Sequence, residues 1–297
     1  MSIAACPQNG QRKESRLTDS EFPVGLFRCP VCGASFHKVE NSLLCNGARC
    51  HCFDFSSCGD VNLATSAQSN GGDSKEAVRA RSAFLRSGYY RQAADAIAET
   101  VAAYVPANGT VIDAGCGEGY YAETVAAHGF RVVGFDLSKA ACERAAKQVK
   151  ANQTLRFQPK FAVAGVFSLP LQDACADAVI NVFAPCAETE YARILKPGGI
   201  LLVAGAGEKH LLGLKKAIYE NPYLNTPRAD LPRFMTLTDK KHACFSITLT
   251  DQASIAALFS MTPYYWRTGP ADREKLAALT TLTTEIDFEI SVYRKEV

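Results

Sequence analysis

Val111-Ile112-Asp113-Ala114-Gly115-Cys116-Gly117-Glu118-Gly119-Tyr120 is the stretch that decides the fold. An apolar run enters a loop with glycine at every second position, and a helix-forming sequence follows. Glycine permits positive φ and lets a ligand come close to the backbone. In a sheet of parallel strands the ligand crevice lies at the carboxyl ends of the strands, where this loop falls. The spacing departs from the dinucleotide fingerprint G-x-G-x-x-G, which seats a pyrophosphate on a helix N-terminus. Here the third glycine comes one residue early, Asp113 precedes the loop and Glu118 lies inside it. Two carboxylates suit a cationic ligand better than a pyrophosphate.

The flanking segments alternate between strand-like and helix-like character. Strands are predicted at 110–114, 131–136, 160–164, 177–183 and 200–204, with helices clearest at 118–128, 138–151 and 187–195. This alternation implies right-handed crossovers and a mostly parallel, doubly wound α/β sheet. Upstream, one helix is expected from Ser74 to a stop at Gly88 and a second from Tyr89 to Tyr104, ahead of Pro106. Downstream, the pattern gives helices at 208–220 and near 251–260, a less regular stretch between them, and a last strand near 286–293.

Asp136 ends the second strand 21 residues after Gly115, where an acid can take both hydroxyls of a ribose; a helix cap at 136–139 is its competing use. Leu195-Lys196-Pro197-Gly198-Gly199 makes a turn before the fifth strand. Loop, acid and turn, in this order, resemble the class I methyltransferase pattern over roughly residues 74–206. That resemblance implies a Rossmann-like fold and S-adenosylmethionine as cofactor, whose sulfonium and amino groups are cationic.

The 297 residues are enough for one large domain and a small appendage. A hydrophobic content of 47% against 21% charged supports a sizeable core. The formal net charge of +2 gives no general case for nucleic acid, so any basic surface must be local. No apolar run reaches membrane-spanning length, and the first thirty residues lack the hydrophobic core of a signal peptide, so a cytoplasmic protein is expected. Residues 1–26 are polar and aperiodic and read as a flexible extension.

Cysteine is the unusual count, twelve in all, of which seven fall in the first sixty residues. Clustered cysteines in a chain of this class read as metal ligands rather than as disulfides. Cys29-Pro-Val-Cys32 forms one pair, Cys45 follows thirteen residues after Cys32, and Cys50, His51 and Cys52 come next. Zinc takes four such ligands in a tetrahedron. The first three are clear, and the fourth is open among the three neighbours. The segment 27–63 is too small to fold on an apolar core alone and would gain from a metal. A small polar stretch at 64–73 links it to a domain spanning 74–297.

These residues closely resemble a particular family, the bacterial 23S rRNA (guanine-N1)-methyltransferases of the RlmA type. The match runs over about residues 29–293. It is carried by the cysteine front, Phe53-Asp54, Ala80-Arg81-Ser82-Ala83-Phe84-Leu85, Gly88-Tyr89-Tyr90, the glycine loop, Ala184-Pro185-Cys186, Lys209-His210-Leu211 and Met261-Thr262-Pro263-Tyr264-Tyr265-Trp266-Arg267. The resemblance implies methyl transfer from S-adenosylmethionine to guanine N1 in a hairpin of large-subunit rRNA, with a zinc module that helps dock the RNA. It implies Cys29, Cys32, Cys45 and His51 as metal ligands. It places cofactor contacts at Tyr90, Gly117, Glu118 and His210, beside Asp113, Gly115 and Asp136 from the loop and second strand. Ala184-Pro185-Cys186, after the fourth strand, is expected to line the pocket for the target base.

The sequence departs from the family at the second knuckle, two residues longer than usual, which leaves Cys50 as a rival to His51. Asp60 also stands where the family has tyrosine. Residues 75–91 carry Lys75, Arg79, Arg81, Arg86 and Arg91 against a single Glu76, a local stripe that phosphates could use. A homodimer is compatible with this reading. Two other functions fit the same motifs: a small-molecule methyltransferase with a structural zinc module, and a zinc-containing RNA-binding protein without catalysis.

Overall fold

The computed structural model describes residues 21–65, 73–152, 154–226 and 235–296. Most of the expected N-terminal extension, and most of the linker, lie outside the described residues. The chain first forms a small antiparallel sheet of β1 (Phe36–Val39), β2 (Ser42–Cys45) and β3 (Cys52–Asp54). A two-residue strand, β4 (Val61–Asn62), then leaves this module and pairs in parallel with the edge of the large sheet. The boundary expected at residue 63 is therefore crossed by backbone hydrogen bonding.

Two helices follow. Ser74 caps α1 (Lys75–Arg86) by accepting a hydrogen bond from the Ala77 amide at 3.2 Å, and Gly88, at φ +89°, turns the chain into α2 (Arg91–Tyr104). The alternating segment then gives β5 (Thr110–Ala114), α3 (Tyr120–Ala127), β6 (Arg131–Asp136), α4 (Lys139–Ala151), β7 (Lys160–Val163), β8 (Ala176–Val182), α5 (Glu188–Ile194) and β9 (Leu195–Ala206). All five strands and the three helices of the sequence reading are present, with ends shifted by a few residues. The largest shift is at β9, which begins at Leu195 and takes in the Lys-Pro-Gly-Gly turn.

The C-terminal part differs more. The helix expected at 208–220 is confined to α6 (Leu212–Ile218), because Leu211 adopts φ +58° and breaks the turn before it. The irregular stretch contains a long strand, β10 (Thr236–Leu249). α7 (Gln252–Ser260) and α8 (Pro270–Ala277) precede β11 (Leu282–Arg294).

The large sheet runs β10-β11-β9-β8-β5-β6-β7-β4. Its strands from β9 to β4 are parallel, and β11 enters antiparallel between β9 and β10. The strand order reverses at β5, which has β6 on one side and β8 on the other. A crevice opens at such a switch point, beyond the carboxyl ends of the strands.

Apolar residues pack on both faces. One face carries α1 to α4 and the C-terminal helices, through Phe84, Ile97, Val125, Val149 and Leu258. The other carries α5 and the N-terminal module. Phe27 is fully buried, its ring 5.9 Å from Phe135 on β6, and Phe22 sits 4.6 Å from Phe27 and 4.9 Å from Phe55. The connection from β7 to β8 holds no helix, so the module covers that part of the sheet instead. Each buried phenylalanine is worth about 2–3 kcal/mol of transfer free energy. The module is thus fastened to the sheet by an apolar interface.

Candidate cofactor site and metal centre

The glycine loop leaves β5 at the switch point. Gly115 has φ +86°, and a Cβ there would lie 2.5 Å from that of Ala184, so only glycine lets the loop close against the chain after β8. Asp113 ends up 1% exposed, with its Oδ2 buried and lacking a hydrogen-bond partner; Glu118 Oε1 and the Tyr120 hydroxyl share that state. Natural interiors rarely leave such atoms unmatched. Burial, reinforced by Asp136 and Glu118, pushes the Asp113 carboxyl up to about 8. Burial also raises Glu118, against the pull of Arg81 and Arg86 from α1. Three carboxylates crowded in low dielectric form a site that a cation would relieve.

Asp136 faces the loop. Its Oδ2 accepts from the Gly117 amide at 3.0 Å and its Oδ1 from the Ser138 amide at 2.7 Å. Capping of α4 falls to Ser138, whose hydroxyl accepts from the Ala141 amide at 3.3 Å. Each Asp136 oxygen keeps a lone pair, so the two could still receive paired hydroxyls.

Tyr90 and His210 come together although 120 positions separate them in the chain. Tyr90, just before α2, is 4% exposed and stands edge-on to Phe84 and to Phe288 of β11, with its ring 6.3 Å from His210. His210 Nδ1 accepts from the Asp287 amide at 3.2 Å. The neutral ring therefore carries its proton on Nε2. Burial pushes the His210 pKa down to about 4, so the ring stays neutral near pH 7.

In the module, Cys29, Cys32, Cys45 and His51 bring their ligand atoms within 4.8 Å of one another. The Cys32–Cys45 sulfurs are 3.7 Å apart, and His51 Nδ1 lies 3.6 Å from the Cys29 sulfur and 3.4 Å from that of Cys45. Ordinary zinc bond lengths give tetrahedral edges of about 3.8 Å between two sulfurs and about 3.6 Å between sulfur and nitrogen. The donor set therefore fits zinc. The His51 amide also donates to the Cys45 sulfur at 3.0 Å, as a supporting contact for a thiolate. Cys50 and Cys52 are exposed and stand outside the group.

A separate cavity of about 360 Å3 lies at the opposite end of the strands, where Thr110 and Arg131 begin β5 and β6, and it includes none of these residues.

A family model described as "Methyltransferase domain" matches residues 112–203. A Streptomyces fradiae protein named 23S rRNA (guanine(748)-N(1))-methyltransferase is 36% identical over 200 residues, which are 66% of this chain and 68% of that protein. A Micromonospora griseorubida protein named as a 23S rRNA (guanine-N(1)-)-methyltransferase is 32% identical over 289 residues, 87% of this chain and 93% of its own. The chain belongs to the 23S rRNA (guanine-N1)-methyltransferase family. A Bacillus subtilis protein with the same family name is 28% identical across 90% of this chain.

The basic stripe at residues 75–91 is less open than its sequence suggests. Arg81 pairs with Asp73, Arg86 with Glu123 at 2.7 Å and Arg91 with Asp95 at 2.8 Å. Much of its charge is thus used within the protein. Phe183, expected as the last residue of the fourth strand, instead follows β8. It is 49% exposed, at φ +54°, with its ring 4.8 Å from Phe288 and 5.6 Å from His210. An exposed, strained aromatic has no signature in sequence pattern, since conformation and exposure are what set it apart. Among the described residues, no helix is long and apolar enough to cross a membrane.

Proposed function

We propose that this chain transfers the methyl group of S-adenosylmethionine to N1 of a guanine in a hairpin of large-subunit rRNA, and acts in the cytoplasm, where that RNA is accessible. The observation that carries the reading is the buried carboxylate pair Asp113 and Glu118, each with one oxygen unmatched, at the switch point of a chain belonging to this family. When bound, the cofactor supplies a methyl group on a positively charged sulfur. Asp113 and Glu118 supply the negative environment for its charges, Asp136 receives the ribose hydroxyls, and Gly115 and Gly117 let the loop backbone lie against it. Tyr90 and His210 close the pocket on the β11 side.

Guanine N1 holds a proton at neutral pH and cannot attack carbon until that proton leaves. The chain's contribution is to hold the base in line and to keep competing water out, and positioning of this kind can supply much of a rate enhancement. The base must also be splayed from its hairpin for N1, on its pairing edge, to be reached. Cys29, Cys32, Cys45 and His51 hold zinc, and the module of residues 27–63 so ordered helps dock the RNA beside the transferase domain of residues 74–297.

The test is incubation with labelled S-adenosylmethionine and 23S rRNA lacking the modification, followed by reverse transcription. Methylation of N1 blocks base pairing, so a single strong stop at a guanine in a hairpin is expected. Transfer to a small metabolite with none to RNA would overturn the reading.

A further inference from the structure

Phe183 combines three properties that core packing does not explain. It exposes 49% of its surface at the carboxyl edge of the sheet, where Val182 of β8 and Leu202 of β9 are buried. Its backbone lies in the left-handed region, at φ +54°, which costs a residue with a Cβ on the order of 1–2 kcal/mol. Its surroundings hold that conformation in place. The Phe183 amide donates to the Ala204 carbonyl at 3.0 Å, and Asn181 Nδ2 and the Tyr191 hydroxyl both donate to the Pro185 carbonyl, at 2.9 and 3.1 Å. Phe288 stands perpendicular to the Phe183 ring, at an interplanar angle of 88°, which braces the ring and leaves aromatic surface open.

We infer that Phe183 is the stacking platform for the guanine that receives the methyl group. Topology separates this surface from the cofactor's nucleoside. Asp136, the ribose acid, ends β6 on one side of β5, whereas Phe183 follows β8 on the other. Ala184, the next residue, abuts Gly115 of the cofactor loop, so a base held on Phe183 lies beside the pocket between Asp113 and His210. Every base has a π face, and stacking on an aromatic ring holds an unpaired base without using its pairing edge, which leaves N1 free to react. Phe288 and His210 fix the ring before substrate arrives, so the strain at Phe183 preorganises the site.

This inference rests on the rRNA reading and is tested by substitutions that keep the cofactor pocket intact. Phe183→Leu retains apolar volume and removes the π face; Phe183→Trp keeps it. Stacking contributions at single bases predict that Phe183→Leu loses about 10- to 100-fold in kcat/KM for the rRNA hairpin. Phe183→Trp should stay within about threefold of wild type, and both variants should bind S-adenosylmethionine as the wild type does. A hairpin carrying 2-aminopurine at the target position adds a binding readout, with fluorescence quenched by wild type and Phe183→Trp more than by Phe183→Leu. Equal kcat/KM for wild type and Phe183→Leu overturns the inference alone, as does a Phe183→Leu defect matched by lost cofactor affinity. Absence of transfer by the wild-type chain overturns the rRNA reading and this inference with it.

Discussion

Asp113 illustrates how one residue can be stabilising or destabilising according to what occupies its pocket. Its folded-state pKa is raised from 3.8 to about 8. The proton it keeps therefore favours the fold fully below about pH 4, and that contribution is lost as pH rises toward 8. Above that range the ionised carboxylate sits buried beside two others. Asp113→Asn should then raise the stability of the cofactor-free protein at pH 9 by at least about 2 kcal/mol, with little change at pH 4, because each unit of pKa shift is worth ~1.4 kcal/mol. Thermal melts at the two pH values check this, and equal effects at both would refute the assignment. The same substitution should weaken cofactor binding at least about tenfold. It should also flatten the rise in affinity that wild type shows between pH 6 and 8, as calorimetry would measure. Asp113 was legible in the sequence because its spacing from the glycines is local. The unmatched oxygen was not, since that depends on what the neighbouring strand, the loop and α3 bring around it.

The elements divide along similar lines. The parallel strands and their helices could be read because each buries a face and so imposes a period on its own residues. β10 could not. Along Thr236–Leu249 only Ile247 and Leu249 are buried, while Asp239, Lys240, Lys241 and His242 interrupt any alternation. An edge strand needs hydrogen bonding on one side only, so backbone pairing with β11 defines it and side chains are free to be polar. α8 is hidden for the same reason, with Leu276 its one buried residue. The link between His210 and the Asp287 amide joins residues 77 positions apart, beyond any local motif. The β5–α3 loop is the element most exposed to a single change. Gly115→Ala adds a methyl group 2.5 Å from the Ala184 Cβ at a φ of +86°. The combined backbone and packing cost is about 2–3 kcal/mol. A fall in melting temperature of roughly 5–10 °C and a loss of cofactor binding of tenfold or more are expected. An unchanged melt would show that the loop tolerates the methyl group by moving.

At the scale of the whole molecule, the N-terminal cysteine module and the sheet share one core face. Phe22, Phe27 and Phe55 form a continuous aromatic contact with Phe135, and Leu63 is buried beside β7. The molecule should therefore unfold in one cooperative transition. Elemental analysis is expected to find one zinc per chain, and Cys32→Ser should remove it. Chelation should lower the midpoint of the entire transition rather than release a separate early phase. Two resolved calorimetric peaks after chelation, with the later one unshifted, would contradict this coupling. Sequence alone suggests a module tethered by a linker; the shared interface is hidden because Phe22 lies in a stretch that reads as polar and aperiodic, and Phe27 and Phe55 lie in a segment dominated by its cysteines.

β4 has a consequence of a different kind. By laying two residues along β7, the chain occupies the hydrogen-bonding groups that would otherwise form the outer margin of a parallel sheet. Open margins of this sort recruit strands from other molecules. The segment that carries the cysteines thus also acts as a selvage, and a shortened chain beginning after Leu63 would be sticky as well as stripped of Cys29, Cys32, Cys45 and His51.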